Sequence, residues 1–397
     1  MVAPIERDLA IDDFHMSLLL GPAFGLFYVV VGLAAGVAVD RWPRRVITAI
    51  GVALWGAATF LTGFAGNFAM LAMGRTGVGI GESTLTPSAH ALIADSFPRH
   101  RLSTAMAVFT VGAIVGGGLA LLVGGAVVHA LAERGAVSLP LIGAVSGWQA
   151  VFFAVGAATL LLLPLALLMR EPARDRPANG AANPVRHAIS FGALLRRDWR
   201  LFVLLPVGFG CTNIVAVAYV TWVPTFMMRS YGMNAAQVGL ALGVQNLAAG
   251  LLGQIGGAMI VDRLYARGVK DAHPRYHIVG LLVSAPLMLL AFRAPTLTGF
   301  LIASFAFYCL TFPFVAYAAA ALQLFAPDHL RGRVSSLFLA LITVIGTVIG
   351  PTVVGLLTDH VFGKAGLGEA LSVLTIATVP LAIAVLARVA KTMRARA

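Results

Sequence analysis

One arginine and one glutamate lie seven residues apart inside a long apolar run of this chain. Arg75 and Glu82 both fall within 69–94, and seven residues are two helical turns, which places both side chains on one helix face. A carboxylate near the middle of a bilayer costs about 2.5 to 3.5 kcal/mol, so it has to face a cavity, pair with a cation or hold a proton. We therefore predict that Glu82 binds and releases protons and that Arg75 binds an anionic group in bidentate fashion. A structural carboxyl group is the alternative for Glu82, and a guanidinium that reaches the membrane interface is the alternative for Arg75.

The composition indicates that lipid surrounds these residues. Of the 397 residues, 59% are hydrophobic and only 11% are charged, whereas roughly a quarter of the residues in a soluble domain carry charge. The net charge of +12 does not indicate nucleic-acid binding, because the basic residues form short clusters between apolar runs. Cys211 and Cys309 lie far apart inside apolar runs and predict neither a disulfide nor a metal site. The sequence thus predicts a membrane protein without enzymatic activity, cofactor, metal ion or nucleic-acid partner.

Eleven apolar runs are long enough to cross a membrane as helices. They are about twice as long as the strands of a membrane β-barrel and lack the alternating polarity of such strands. Five runs precede a polar stretch at 170–200 and six follow it. The runs are 16–39, 46–66, 69–94, 102–130, 147–169, 201–228, 235–261, 276–292, 297–325, 334–358 and 368–390.

The basic residues predict the orientation of the chain, because cytoplasmic loops carry an excess of lysine and arginine. One set of alternate loops contains 22 of the 28 basic residues. The other set contains five, and Arg75 lies inside a run. This asymmetry predicts that 170–200 and the C-terminus are cytoplasmic. With eleven spans the N-terminus is then predicted to lie outside, although residues 1–15 lack the features of a signal peptide.

The second half of the chain repeats features of the first, as in many secondary transporters. Asp40-Arg41 follows the first span, and Asp262-Arg263 occupies the corresponding place in the second half. Arg101-Leu-Ser-Thr likewise matches Arg333-Val-Ser-Ser at the start of corresponding helices. In this register the first half has five helices and the second half six. The sequence therefore predicts that the first half lacks its opening helix.

The loop after the first span resembles a known signature. Gly36-xxx-Asp40-Arg41-x-Pro43-Arg44-Arg45 is similar to the loop between helices 2 and 3 of the major facilitator superfamily. Five further stretches resemble, more narrowly, the Spinster-like branch of that superfamily, and the likeness extends from residue 2 to residue 391. These stretches are Arg75-Thr-Gly77-Val-Gly79-Ile-Gly81-Glu82, the run from Pro87 to Pro98, Gly147-Trp148, Trp222-Val-Pro224 and the run from Gly350 to Asp359.

The resemblance implies an all-α membrane fold with two pseudo-symmetric helical bundles. The family pattern has twelve helices, and this chain is expected to have eleven. We predict an N-terminal bundle at 1–169, a cytoplasmic linker at 170–200 and a C-terminal bundle at 201–397. Family members carry an acidic-basic pair in the opening helix, which this sequence does not contain. A start codon placed too late, or a truncated protein, is therefore expected.

The resemblance also implies secondary active transport by alternating access. The expected substrate is a small organic or amphipathic, anionic molecule, such as the lysophospholipids or sphingoid phosphates exported by animal members, and the expected coupling ion is the proton. We expect a monomer in a membrane, the inner membrane of a bacterium. Two alternatives stay open. One is a multidrug or organic-acid transporter of the same superfamily, and the other is a truncated membrane protein without transport activity.

Two further groups of residues complete the predicted site. The resemblance implies a cytoplasmic gate, for which membrane anchoring alone is the alternative; its residues are Asp40, Arg41, Arg44, Arg45, Asp262 and Arg263. Polar and aromatic residues inside the spans are predicted to line the substrate cavity, unless they hydrogen-bond neighbouring helices instead. These residues are Tyr28, Asn213, Tyr219, Trp222, Gln245, Asn246, Gln254, Tyr308 and Tyr317. Gln245 and Asn246 are adjacent, so at most one of the two points inward.

Overall fold

The computed structural model describes residues 2–11, 15, 19, 22–116, 136–139, 143–171 and 189–395. Most of these residues are helical. The helices are α1 (Val2–Leu9), α2 (Pro22–Arg41), α3 (Arg44–Thr62), α4 (Phe68–Glu82), α5 (Leu85–Ser96), α6 (102–116), α7 (Gly147–Leu161), α8 (Leu163–Leu168), α9 (Phe191–Phe202), α10 (Leu204–Tyr231), α11 (Ala235–Ala266), α12 (Ala272–Ala291), α13 (Leu297–Thr311), α14 (Phe314–Phe325), α15 (Arg331–Leu357) and α16 (Leu367–Ala395). Short helical turns at Arg99–Arg101, Asp328–Leu330, Thr358–Phe362 and Lys364–Gly366 flank some of them.

A hairpin is the one exception to the predicted all-α fold within the described residues. Strands β1 (Ala136–Leu139) and β2 (Gly143–Ser146) pair antiparallel, with Ala136 opposite Ser146. β2 leads directly into α7, where Ser146 and Gln149 form a reciprocal capping box at the first turn. The hairpin therefore fixes the point at which α7 begins.

Nine helices in the described part of the chain are long and apolar enough to cross a membrane. They correspond to nine of the eleven predicted spans, so the count of eleven is not confirmed. The two others are the runs 69–94 and 102–130. The structure describes the second of these only as far as residue 116.

The run 69–94 is not one helix, because the helix is interrupted at Ser83 and Thr84, between α4 and α5. The hydroxyl group of Ser83 donates to the carbonyl oxygen of Ile80 at 2.7 Å, and that of Thr84 donates to Gly81 at 2.9 Å. Such local bonds compete with the helical hydrogen bonds. Pro87, which has no N–H to donate, removes a further helical bond just beyond the break. Glu82 therefore ends a helix instead of lying within one.

The described chain divides into two compact units. Unit 1 contains the segments up to Asp95, Gly116–Arg176 and Pro327–Ser336, and unit 2 contains Ser96–Val115, Pro177–Ala326 and Leu337–Ala397. Each unit thus takes a short segment from the other half of the sequence. The predicted boundaries of the two bundles stay a prediction.

Glycines allow close contact between helices in both units. In unit 1, α3 packs against α4 and α7, and α2 packs against α4. A Cβ atom at Gly79 would lie 2.7 Å from the carbonyl oxygen of Phe24. In unit 2, α10 packs against α16, and α12 packs against α13, around a core that includes buried Phe226. A Cβ atom at Gly253 there would lie 2.1 Å from the carbonyl oxygen of Cys309.

Candidate functional site

Arg75 and Glu82 lie together in unit 1. Both side chains are half-buried, and they interact electrostatically. The Nε atom of Arg75 donates to the carbonyl oxygen of Leu19 at 3.2 Å, and its guanidinium carbon lies 5.6 Å from the centre of the Phe24 ring. The guanidinium group is thus held on two sides, between a backbone carbonyl and an aromatic face. Among the described residues, the hydrogen bonds of Arg75 leave its terminal N–H groups to Glu82 or to an anionic ligand.

Tyr28 joins this pair. Its ring stacks on Phe24 with 5.4 Å between the ring centres. Its phenol lies beside Thr86 and close enough to Glu82 for the two groups to interact electrostatically. The structure therefore brings three of the predicted site residues together: Tyr28, Arg75 and Glu82. Thr86 belongs to the same cluster, and the sequence analysis missed it because a threonine just after a helix break carries no distinguishing pattern.

Unit 2 contains a cavity of about 270 Å³. Three predicted lining residues reach it: Asn246, Gln254 and Tyr308. The side chain of Gln254 is buried, and its Nε2 atom has no hydrogen-bond partner among the described residues. The cavity is lined by Thr110, Ile114, Val220, Asn246, Gly250, Gln254, Tyr308, Phe312, Pro313 and Val315. None of these described lining residues carries a charge.

Gln245, the residue before Asn246, contacts another helix and does not line the cavity. Its side chain is buried and donates to the hydroxyl group of Ser304 at 2.7 Å. Asn246, by contrast, lines the cavity. Of the two adjacent amides, one therefore joins helices and one reaches the cavity.

Four other predicted lining residues of unit 2 make hydrogen bonds between helices, and the structure does not place them at this cavity. Asn213 donates to Ile342 at 2.8 Å, and Trp222 donates to Pro351 at 3.2 Å. The hydroxyl group of Tyr219 pairs with Thr375 at 2.9 Å, and that of Tyr317 pairs with Nδ1 of His277 at 2.6 Å. Their part in substrate binding stays a prediction.

Asp40 lies at the end of α2 and binds the start of α15. Its carboxylate accepts the backbone N–H of Gly332 at 2.6 Å and that of Arg333 at 3.2 Å. The Nε atom of Arg333 lies 3.4 Å from the same carboxylate. Because the first N–H groups of a helix have no partner within it, a carboxylate at this point both satisfies them and interacts favourably with the helix dipole. We name this contact the α2–α15 latch.

A second group of charges lies beside the α2–α15 latch. Arg44 is almost fully buried and forms an ion pair with Asp95, which also pairs with Arg331. The backbone N–H of Arg44 donates to Glu171 at 2.8 Å, so a distant carboxylate caps the start of α3. Asp95, Glu171 and Arg331 were not predicted. The one available signal was an acidic residue at the end of a span, in the stretch Asp95-Ser-Phe-Pro98.

Asp262 makes the corresponding contact in unit 2. It lies near the end of α11 and accepts the backbone N–H of Ser103 at 3.1 Å and that of Thr104 at 2.8 Å. The hydroxyl group of Ser103 lies 3.1 Å from Nε2 of buried His273. We name this contact the α11–α6 latch.

The three remaining predicted gate residues have exposed side chains. These are Arg41, Arg45 and Arg263. Of the three, Arg45 is tied into the fold by its backbone N–H, which donates to Glu171 at 3.4 Å. Their side chains are therefore free to reach water or lipid headgroups.

Comparison with known proteins identifies the fold and the class of this chain. A sequence model described as Major Facilitator Superfamily matches residues 1–351. The chain belongs to the Major Facilitator Superfamily. The superfamily consists of transporters, so the chain is a multi-pass membrane transporter of small molecules and not an enzyme.

Relatives and a solved structure agree with this assignment. An MFS-type efflux pump of Mycolicibacterium smegmatis is 31% identical over 95% of this chain and 84% of its own length. Protein spinster of Drosophila melanogaster is 32% identical over 72% of this chain and 46% of its own length. The crystal structure of a bacterial homologue of the human lysosomal transporter Spinster, inward-facing and unoccupied, matches with a TM-score of 0.63 and 24% identity, over 98% of this chain and 91% of that one. The predicted Spinster-like branch of the superfamily is confirmed.

Proposed function

We propose that this superfamily member moves a small organic or amphipathic, anionic substrate by alternating access, coupled to protons. The observation that carries the proposal is the cluster of Tyr28, Arg75 and Glu82 within unit 1. A titratable carboxyl group and a permanent cation inside apolar surroundings are costly, and such pairs mark ion and substrate pathways in membrane proteins. Arg75 supplies the charge that binds an anion, and Glu82 supplies the proton site.

Competition between the Glu82 carboxylate and an anionic substrate for Arg75 would couple substrate binding to protonation of Glu82. Ionised Glu82 would attract the Arg75 guanidinium, and protonation of Glu82 would remove that attraction and leave Arg75 to bind an anionic substrate. The Phe24 ring and the Leu19 carbonyl keep Arg75 in place in both cases. A substrate anion and a proton would therefore move together.

The cavity in unit 2 supports an amphipathic substrate. Its described lining is uncharged and mostly apolar, with Asn246, Gln254 and Tyr308 as hydrogen-bonding groups. Such a lining takes an uncharged, apolar part of a molecule and orients it through a few polar contacts.

Glu82→Gln tests the proposal because it keeps the shape of the side chain and removes the titratable group. Proteoliposomes with an inward proton gradient would be given a panel of labelled organic acids and lysophospholipids. We expect the parent protein to accumulate at least one probe and Glu82→Gln to lose accumulation while retaining exchange of that probe across the membrane. Glu369→Gln makes the same substitution at an exposed glutamate in the first turn of α16 and serves as a control for the loss of a carboxyl group elsewhere. Unchanged gradient-driven accumulation by Glu82→Gln would remove Glu82 from the mechanism.

A multidrug efflux function is the second candidate, favoured by the similarity to the MFS-type efflux pump and by the uncharged cavity. Such a transporter would need no anion on its substrate. Arg75→Gln separates the two candidates. It should abolish transport of anionic probes under the first function and leave transport of a lipophilic cation such as ethidium unchanged under the second.

We propose that the protein resides in the inner membrane of a bacterium. We further propose that its gate and its C-terminus both lie on the cytoplasmic side of that membrane. The support is the excess of basic residues in one set of loops. Asp40, Arg41, Arg44 and Arg45 would form the gate at one position, and Asp262 with Arg263 at the other. A cysteine introduced at Ala181 should resist membrane-impermeant thiol reagents in intact cells and react after lysis. Ready labelling in intact cells would overturn this orientation.

A further inference from the structure

Helix α9 has one face buried in unit 2 and one face exposed. Leu194, Leu201 and Phe202 are buried, and α9 packs against α10 and α16. The opposite face carries Arg196, Arg197, Trp199 and Arg200, all of them exposed. Asp198 has non-helical backbone angles (φ −123°, ψ 27°), so α9 is kinked between Arg197 and Trp199, and these exposed side chains lie on both sides of the kink. The packing of α9 thus directs a basic surface away from the protein.

The arginines of this face are only partly neutralised. Arg197 forms an ion pair at 3.1 Å with Asp198, whose side chain is buried. Arg196 and Arg200 form no ion pair with any residue that the structure describes. The guanidinium carbon of Arg200 lies 5.9 Å from the centre of the Trp199 ring, and that tryptophan is 47% exposed. At least two unpaired cations and one amphipathic aromatic ring are therefore presented outwards.

The basic face lies next to the end of a membrane-spanning helix. α9 ends at Phe202, and α10, a membrane span, begins at Leu204. A Cβ atom at Gly208, in the second turn of α10, would touch Leu386 of α16 at 2.7 Å. The last turns of α16, with exposed Arg388 and Lys391, therefore lie at the same end of unit 2 as α9. This end presents cations from two helices beside the membrane.

We propose that the exposed face of α9 binds the headgroups of anionic phospholipids, with Trp199 inserted at the membrane interface. Charge complementarity and position both favour this occupant, because basic clusters beside a membrane span attract anionic lipid and tryptophan prefers the interfacial region. The neighbouring linker cannot supply the counter-charge, since 172–188 contains three arginines and one aspartate. The inference rests on α10 spanning the membrane but not on which side faces the cytoplasm.

Fluorescence quenching by brominated lipid tests the proposal on the full chain. The protein would be placed in nanodiscs of phosphatidylcholine with a minor fraction of phosphatidylglycerol, and bromine would be carried on the acyl chains of one lipid or the other. The emission of Trp199 is the difference between the parent and Trp199→Phe, because the chain has five tryptophans. We expect brominated phosphatidylglycerol to quench this emission more strongly than an equal fraction of brominated phosphatidylcholine. The preference should fall steeply at about 1 M salt, where charges are screened within about 3 Å.

Charge removal shows whether α9 itself is responsible. Arg196→Gln combined with Arg200→Gln should abolish the preference, since each cation contributes roughly a fivefold enrichment of anionic lipid. Arg99→Gln combined with Arg101→Gln removes two exposed arginines from another segment of unit 2 and should leave the preference intact. Equal quenching by both lipids in the parent would overturn the proposal, as would a preference that survives in the first double variant. An equal loss of the lipid preference in the control variant would also overturn the proposal, because the overall positive charge of the protein surface would then explain the preference.

Because both leaflets of a nanodisc contain the same lipids, the result does not depend on the transport direction or the orientation of the chain. A failure here would leave the roles of Arg75 and Glu82 untouched. A failure of Glu82→Gln to alter coupling would likewise leave the lipid surface untouched.

Discussion

The two latches place a carboxylate in the same way and surround it differently. Asp40 and Asp262 each accept two backbone N–H groups from the first turn of another helix. Around Asp40 the contact is reinforced by charge, through Arg333 and the neighbouring ion pairs of Asp95. Around Asp262 the described neighbour of the latch is a buried histidine, His273, held by the hydroxyl group of Ser103. In both latches a carboxylate caps the first turn of another helix. In the α2–α15 latch this carboxylate lies within a network of charges, and in the α11–α6 latch it lies beside Ser103 and His273.

The difference indicates which latch depends on charge. A backbone N–H bonded to a carboxylate contributes about 1.5 to 3 kcal/mol, and both latches contain two such bonds. The α2–α15 latch adds ion pairs that are largely shielded from water. We therefore expect it to respond more strongly to the loss of a charge.

Asp95→Asn should have the largest effect on stability. Asp95 is the shared partner of Arg44 and Arg331, and its loss removes the ion pair of buried Arg44 and leaves Arg331 with only the exposed carboxylate of Asp328. Removing one member of a buried ion pair costs about 3 to 5 kcal/mol. Asp328→Asn is a matched control, because Asp328 also pairs with Arg331, at 3.0 Å, but is 70% exposed. The control should cost no more than about 1 kcal/mol. Thermal unfolding in detergent measures both; equal destabilisation would show that the network beside the latch is not buried as described.

Asp40→Asn and Asp262→Asn compare the latches directly. Each variant keeps the shape of the side chain and loses its charge. We expect Asp40→Asn to lower the initial rate of transport roughly tenfold or more, since it weakens two charge-assisted bonds and leaves Arg333 unpaired. Asp262→Asn should lower the rate only about threefold. The probe would be the molecule accumulated by the parent in proteoliposomes. A larger loss from Asp262→Asn would reverse the comparison.

The sequence predicted the two latch carboxylates but not what they bind. Asp40 and Asp262 stand out because they end apolar helices at equivalent places in the repeat. Their partners are backbone N–H groups, which every residue except proline possesses, so no residue type identifies them. The seven-residue spacing of Arg75 and Glu82 was sufficient to predict one shared face, because helical periodicity determines it.

The helix break and the cavity lining were harder to predict. A hydropathy average across 69–94 does not register a break at Ser83 and Thr84, since the apolar residues continue on both sides. A polar residue in an apolar helix also gives the same pattern whether it faces a cavity, as Asn246 does, or another helix, as Asn213 does. Only the tertiary packing separates these cases.

Asp8 is a third carboxylate that accepts hydrogen bonds, and it lies outside the membrane spans. Of the substitutions considered, Asp8→Asn should change the free energy of unfolding least. Asp8 accepts the indole N–H of Trp148 at 2.9 Å. Hydrogen bonds from Ser146 and Trp148 hold the pKa of Asp8 below its ordinary value of 3.8. Because the pKa of Asp8 is lower in the folded state, its stabilisation of the fold is complete above the ordinary value of 3.8. The stabilisation is lost as the pH falls through the folded-state pKa.

The pH dependence of unfolding would measure this contribution. The parent should be more stable than Asp8→Asn near neutral pH by less than about 1 kcal/mol, because Asp8 is close to solvent. The two proteins should converge only once the pH falls below the lowered folded-state pKa of Asp8. A difference that grows as the pH falls would contradict the assigned hydrogen bonds.

A reversible cross-link across the α2–α15 latch tests most directly whether this contact has to open during transport. A Cβ atom added at Gly36 would lie 2.5 Å from Oγ of Ser336 and 2.8 Å from the backbone carbonyl oxygen of Gly332, so cysteines at 36 and 336 are within reach of a disulfide once the two helices shift slightly apart. Gly36→Cys with Ser336→Cys would be prepared with Cys211 and Cys309 replaced by alanine, and its reduced form has to transport before oxidation is interpreted. Oxidation should then stop transport, reductant should restore it, and neither single variant should respond. Undiminished transport by the fully cross-linked protein would contradict a gate at the α2–α15 latch.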